Sequence, residues 1–178
     1  MVQSDNNLWI LTEERPKVEV IKKIINKSSL LKNLDIKIKN LKINPLIENN
    51  KFLHIFKISE IKSNKINNIF IRLISSKSSF VDFLVFLQRE EPKPEQILTN
   101  CIYAIEETKT NSYDSRNTAM GQRSSKFTTL NYYIQKYKAE TKPVMFFSHK
   151  QADEDHKSVN FINRSLYHLE CGIEFWGK

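Results

Sequence analysis

Three short apolar runs in the middle of the chain limit what it can fold into. Residues 69–74 (Ile69-Phe70-Ile71-Arg72-Leu73-Ile74), 81–87 (Val81-Asp82-Phe83-Leu84-Val85-Phe86-Leu87) and 101–105 (Cys101-Ile102-Tyr103-Ala104-Ile105) are rich in β-branched and aromatic residues. Each is too short for a core helix. Each is also bounded by breakers, a Ser-rich turn over 75–79 and a loop over 88–96 carrying Pro92 and Pro94. The runs read as strands, and the two joined by the proline-bearing loop are expected to pair antiparallel. Residues 144–147, Val144-Met145-Phe146-Phe147, are apolar throughout, as a strand buried on both faces requires.

Helical patterns stand between the strands. Val18, Val20, Ile21, Ile24 and Ile25 recur at helical spacing, with Thr12 or a neighbour expected to cap this first helix and Pro16 tolerated near its start. Residues 34–39 and 52–58 could each form a strand, and the first seventy residues are otherwise ambiguous. Cap-forming residues at 111–114 open a second helix with apolar positions at Phe127, Leu130, Ile134 and Tyr137, which Pro143 should stop. A further helix over 161–169 and a last strand over 173–176 complete the reading. The expected fold class is α/β, a mixed central β-sheet flanked by helices. All 178 residues form one domain, with a basic N-terminal part (1–68), a core (69–147) and a C-terminal helix and strand (148–178). At this length about 70% of the unfolded surface is buried on folding, enough for packing alone to hold a core.

The charge is unevenly spread. Of a net +8, residues 17–77 carry 14 basic side chains against 4 acidic ones, while from residue 78 onward the two signs balance at 13 each. A basic region concentrates polyanions and supplies phosphate contacts that do not depend on sequence. An A/T-rich coding sequence, which favours Lys, Asn and Ile, produces the same excess. Only three glycines are present, so there is no phosphate-cradling glycine loop, which argues against kinases, P-loop ATPases and dinucleotide oxidoreductases. Cys101 and Cys171 are too few for a disulfide scaffold and lack zinc-site spacing, which points to a reducing compartment. The four histidines show no metal spacing, and the acidic run 153–155 before His156 reads as an exposed loop. The N-terminus lacks the pattern of a signal peptide, and no stretch of about 18 apolar residues occurs, so a cytoplasmic protein with no membrane span is expected.

The residues that could carry chemistry are Asp82, Glu107 and Lys109, on the two clearest strands. Side chains at i and i+2 share a face, about 6 to 7 Å apart along a strand, so Glu107 and Lys109 point the same way and Asp82 can meet them across the pair. Two carboxylates and a backbone carbonyl, that of Thr108, make an oxygen-rich partial shell suited to Mg²⁺, one ion or two, with water and a phosphate completing it. Lys109 could then hold an attacking water or offset transition-state charge. The same spacing is also met by an ordinary strand-edge salt bridge. Favouring the first reading, carboxylates clustered at the end of an apolar sheet, Glu106 included, repel unless something positive sits between them.

These strings, Asp82 before an apolar strand and Ile105-Glu106-Glu107-Thr108-Lys109 followed by a helix bearing Gln122 and Arg123, resemble the PD-(D/E)XK phosphodiesterase superfamily, especially its type II restriction endonucleases. The likeness covers residues 69 to 147 and departs from the motif at Val81, where the name-giving proline sits. It implies a restriction-endonuclease-like fold and Mg²⁺-dependent hydrolysis of double-stranded DNA leaving a 5′-phosphate and a 3′-hydroxyl. Asp82 and Glu107 would be metal ligands, and Lys109 would stand beside the nucleophilic water. Many members add a glutamate from an early helix. Glu14 is preferred over Glu19 for that part, because Glu19 projects away from the apolar face of Val18, Ile21 and Ile25.

Arg116, Asn117, Gln122, Arg123 and Lys126 crowd the start of the second helix and are the expected DNA contacts, since Arg and Gln suit both phosphate and base edges. A solvated helix face would carry the same residues. Gly121 among them marks a break or a close backbone approach. The expected activity is that of a type II restriction enzyme working as a homodimer, since cutting both strands of a symmetric site takes two active sites. A junction-resolving or repair nuclease of the same superfamily, or a DNA-binding module without cleavage, are the alternatives. Little of the chain is left for a separate sequence-reading domain, so specificity would come from loops, a partner chain or residues beyond Lys178.

Overall fold

The computed structural model describes residues 5–39, 42–74, 81–93, 99–108, 120–147 and 172–176. The elements, in chain order, are β1 (Asn7–Thr12), α1 (Val18–Lys27), α2 (Ser29–Lys32), β2 (Lys37–Ile38), β3 (Ile43–Glu48), β4 (Lys51–Ile58), β5 (Ile61–Lys62), β6 (Ile69–Leu73), β7 (Phe83–Gln88), β8 (Tyr103–Thr108), α3 (Met120–Tyr137), β9 (Lys142–Phe147) and β10 (Glu174–Trp176). Eight strands form one mixed sheet in the order β10-β9-β8-β7-β1-β6-β4-β3, and β2 pairs with β5 apart from it. The expected α/β class with a mixed central sheet is what the chain forms, with few helices. The expected antiparallel pair is present as β7 and β8, in the register Phe83↔Ile105, Leu84↔Ala104 and Val85↔Tyr103.

At the centre lies β1, parallel to β6 on one side and antiparallel to β7 on the other. Leu8 and Ile10 belong to one core cluster, with Ile21, Ile24 and Ile25 of α1, while Trp9 and Leu11 belong to another, with Phe127 and Leu130 of α3. Both faces are therefore buried. A strand in that position needs no polar alternation, which is why Trp9-Ile10-Leu11 alone did not declare itself. The same partition runs along β8, where Tyr103 and Ile105 join the α1 cluster and Ala104 joins the α3 cluster. It runs along β7 too, with Phe83 and Val85 on one side and Leu84 and Phe86 on the other. Helix α1 thus packs on one face of the sheet and α3 on the opposite face.

Several boundaries differ from the sequence reading. Thr12 ends β1 and does not cap α1, whose N-cap is Lys17 with no side-chain cap bond. Pro16 precedes the helix. The strand expected over 34–39 shrinks to β2, and β3, which the sequence did not announce, forms a hairpin with β4. Helix α3 stops before Pro143. Lys138 adopts a left-handed φ of 49°, its amide bonding the Gln135 carbonyl and that of Ala139 the Ile134 carbonyl, a Schellman ending without glycine. Pro143 instead lies inside β9, opposite Ala104, where β10 does not reach and no ladder bond is lost on that side. The helix expected over 161–169 and the acidic run 153–155 fall outside the described residues. Among the described residues no helix is long and apolar enough to cross a membrane.

Candidate functional site

Strands β1 and β8 run in the same direction with β7 antiparallel between them. The carboxyl ends of β1 and β8 and the amino end of β7 therefore share one edge of the sheet. The chain leaving β1 goes to the α1 face and the chain leaving β8 goes to the α3 face. In open α/β sheets, ligands bind at such edges, where successive connections part to opposite faces. A cleft of about 510 Å³ opens there on the α1 side, lined by Thr12, the loop residues Glu13 to Lys17, Glu19, Val20 and Lys23, and by Asp82, Phe83 and Glu107.

Two of the expected acids meet on its sheet wall. Beyond the Phe83↔Ile105 pair the β7–β8 ladder ends, and Asp82 Oδ2 accepts the Glu107 amide at 2.6 Å. The short contact is that of a charge-assisted bond. It fixes the two carboxylate-bearing residues to each other across the strand pair. Glu107 follows Tyr103 and Ile105 on the α1 side, so its side chain enters the cleft. Its Oε1 is buried and has no hydrogen-bond partner among the described residues. A buried, unsatisfied carboxylate oxygen is costly unless a cation or water completes it.

Glu14, the preferred early glutamate, lines the same cleft, and so does Glu19. Both are exposed. The loop leading to them is shaped locally, Thr12 Oγ1 donating to the Glu14 carbonyl at 3.1 Å. Arg15, Lys17 and Lys23 add positive charge to the α1 wall. None of these three was singled out from the sequence, because the loop has no strand or helix period to mark which side chains converge.

Glu106 is a separate matter. Alternation along β8 turns it away from Glu107 to the α3 face, where it is buried and receives Lys126 Nζ at 2.9 and 3.0 Å from its two oxygens. The positive charge expected between clustered carboxylates is thus, for Glu106, a lysine of α3. The structure places the Lys126 ammonium on the sheet face opposite the cleft and ties it to this ion pair, where the sequence reading had it contacting DNA. Gln122 and Arg123 lie in the first turn of α3, with only their backbone described. Thr108 ends β8, paired with Phe147. Lys109, Arg116 and Asn117 lie outside the described residues.

Cys101 is buried just before β8, and burial pushes its thiol from the ordinary 9.0 up to about 12, against the smaller opposing effect of backbone hydrogen bonds at Val85 and Tyr103. The thiol stays protonated through the physiological range. Its contribution to stability is complete below about pH 9 and is lost as the pH rises towards 12. With Cys171 replaced by serine, Cys101 should resist a maleimide at pH 8 in the folded protein and react fully on unfolding, as followed by mass spectrometry.

The donor set can be tested against Mg²⁺. Among the described residues no three His, Cys, Asp or Glu side chains stand close enough to form a metal cage. Mg²⁺ does not ask for one: it binds through one or two carboxylates and completes its octahedron with water and substrate phosphate. Asp82 and Glu107 supply hard oxygens only, one of them without a partner among the described residues, beside a cleft open to solvent. These residues fit such an ion. No family model, curated protein or solved structure matches the chain.

Proposed function

We propose that this protein is a Mg²⁺-dependent DNA endonuclease, a type II restriction enzyme with a restriction-endonuclease-like fold, acting on duplex DNA as a homodimer in the cytoplasm. The observation that carries the reading is the juncture of Asp82 and Glu107 at the carboxyl edge of the sheet, with Glu107, a lining residue of the cleft, having its Oε1 buried and unpartnered among the described residues. In this reading Asp82, Glu107 and the Thr108 carbonyl hold the ion. The chemistry a bound Mg²⁺ supplies is polarisation of the phosphoryl oxygen and a lowered pKa for water. Glu14 orients water from the opposite wall, and Lys109, two residues after Glu107 in the sequence, holds the attacking water. Lys17 and Lys23 on the cleft wall, with Arg116, Asn117, Gln122 and Arg123 in the sequence after β8, would supply the contacts to the polyanion.

Supercoiled plasmid incubated with the purified protein should give discrete fragments with Mg²⁺ and none with EDTA. Cleavage confined to branched DNA would move the assignment to a junction-resolving or repair nuclease. DNA binding without any cleavage would replace it with a non-cleaving module.

A further inference from the structure

The loop that brings Glu13 and Glu14 to the cleft consists mostly of exposed polar residues, and exposed polar segments have little core burial to hold them in place. Arg15 supplies an anchor. Its guanidinium donates from Nη2 to the Ile43 carbonyl at 3.3 Å and lies 5.3 Å over the ring of Phe56. Ile43 and Phe56 are buried members of β3 and β4, on the far side of β6 from the loop. The side chain therefore reaches past β6 and ties the loop to the outer half of the sheet, while the Thr12 hydroxyl holds the carbonyl of Glu14 from the inner half. A planar guanidinium suits both contacts, since it can donate in its own plane and stack on a ring through its face.

We propose that Arg15 is a positioning residue for the divalent cation, holding the Glu14 wall against the Asp82–Glu107 wall. The inference rests on the metal-site reading above. It carries a signature of opposite sign to simple electrostatics. Arg15 lines the cleft, so removing the repulsion of its positive charge should by itself tighten a bound divalent cation by on the order of fourfold at a separation of about 10 Å in water. Loss of positioning weakens it instead.

The test is Mn²⁺ binding to the full chain without DNA, with free Mn²⁺ read by electron paramagnetic resonance. The wild type should bind and Glu107→Gln should not. Arg15→Ala should weaken binding by about tenfold, the low end of what loss of an outer-layer partner costs, because the Glu14 carboxylate it positions would reach the ion through water and not as a direct ligand. Arg15→Lys, which keeps the charge over the ring but not the planar fork, should fall between. Phe56→Leu should weaken binding in the same direction, and adding it to Arg15→Ala should cost nothing further, because both remove one contact. Binding by Arg15→Ala as tight as wild type or tighter, with Glu107→Gln still inactive in binding, overturns the positioning role alone. A wild type that takes up no Mn²⁺ overturns the metal-site reading and this inference with it.

Discussion

Asp82→Asn and Glu107→Gln should each reduce Mg²⁺-dependent DNA cleavage by at least about a hundredfold, since even second-layer partners of a metal site cost 10- to 100-fold when removed. The choice of asparagine separates charge from architecture. Asp82 Oδ2 accepts the Glu107 amide, and an asparagine carbonyl can accept the same bond. The strand pair should then stay intact while the ligand charge disappears. Glu107→Gln likewise keeps side-chain volume. The accompanying readout is thermal: saturation at about 100 times the dissociation constant stabilises a protein by about 2.7 kcal/mol, so Mg²⁺ should raise the wild-type unfolding midpoint by roughly 5–10 °C. Neither variant should show that rise. Retained cleavage by Asp82→Asn in a nuclease-free preparation would remove Asp82 from the site.

Lys126→Ala should destabilise the fold by about 2–3 kcal/mol. Breaking one side of a fully buried pair costs about 3–5 kcal/mol because a charge is left behind in a poor dielectric. Here Glu106 is buried at 4% side-chain exposure but Lys126 is 39% exposed, so water reaches part of the pair and the lower figure applies. Glu106→Gln should cost less than Lys126→Ala, because the charge it leaves, the Lys126 ammonium, is partly exposed to water, and the double variant should recover part of the lysine's loss. Urea unfolding of the four proteins completes the cycle. If Lys126→Ala left stability unchanged and weakened DNA binding with a shallower salt dependence, Lys126 would be a phosphate contact, as its place in the sequence had indicated.

The contrast between Glu106 and Glu107 shows what was legible in the sequence and what was not. Period-two alternation alone assigns the adjacent acids to opposite faces, so the string contained the information that only one of them could belong to the cleft. It did not contain the identity of what Glu106 meets, because α3 and its Lys126 come to that face through a crossover whose packing no local pattern encodes. Strands β7 and β8 were readable because breakers frame their apolar runs. Strand β1 was not, since burial on both faces erases alternation, and α1 began late because Thr12 is used as the last residue of a strand. The pairing of Asp82 with Glu107 followed from reading two strands as neighbours. Arg15 escaped notice because its partners, Ile43 and Phe56, lie 28 and 41 positions away, on a hairpin only half recognised.

The place of β1 has a consequence for how the protein is made. Its partners are residues 69–73 and 83–88, so the middle of the sheet joins the start of the chain to segments more than sixty positions later. During synthesis the N-terminal strand leaves the ribosome with no mate and must wait until β6 and β7 have emerged. At about 5–20 residues per second that delay is some seconds, during which an apolar segment is open to chaperones and to mispairing. High contact order of this kind also slows refolding, so dilution from denaturant should be followed on the time scale of milliseconds to seconds.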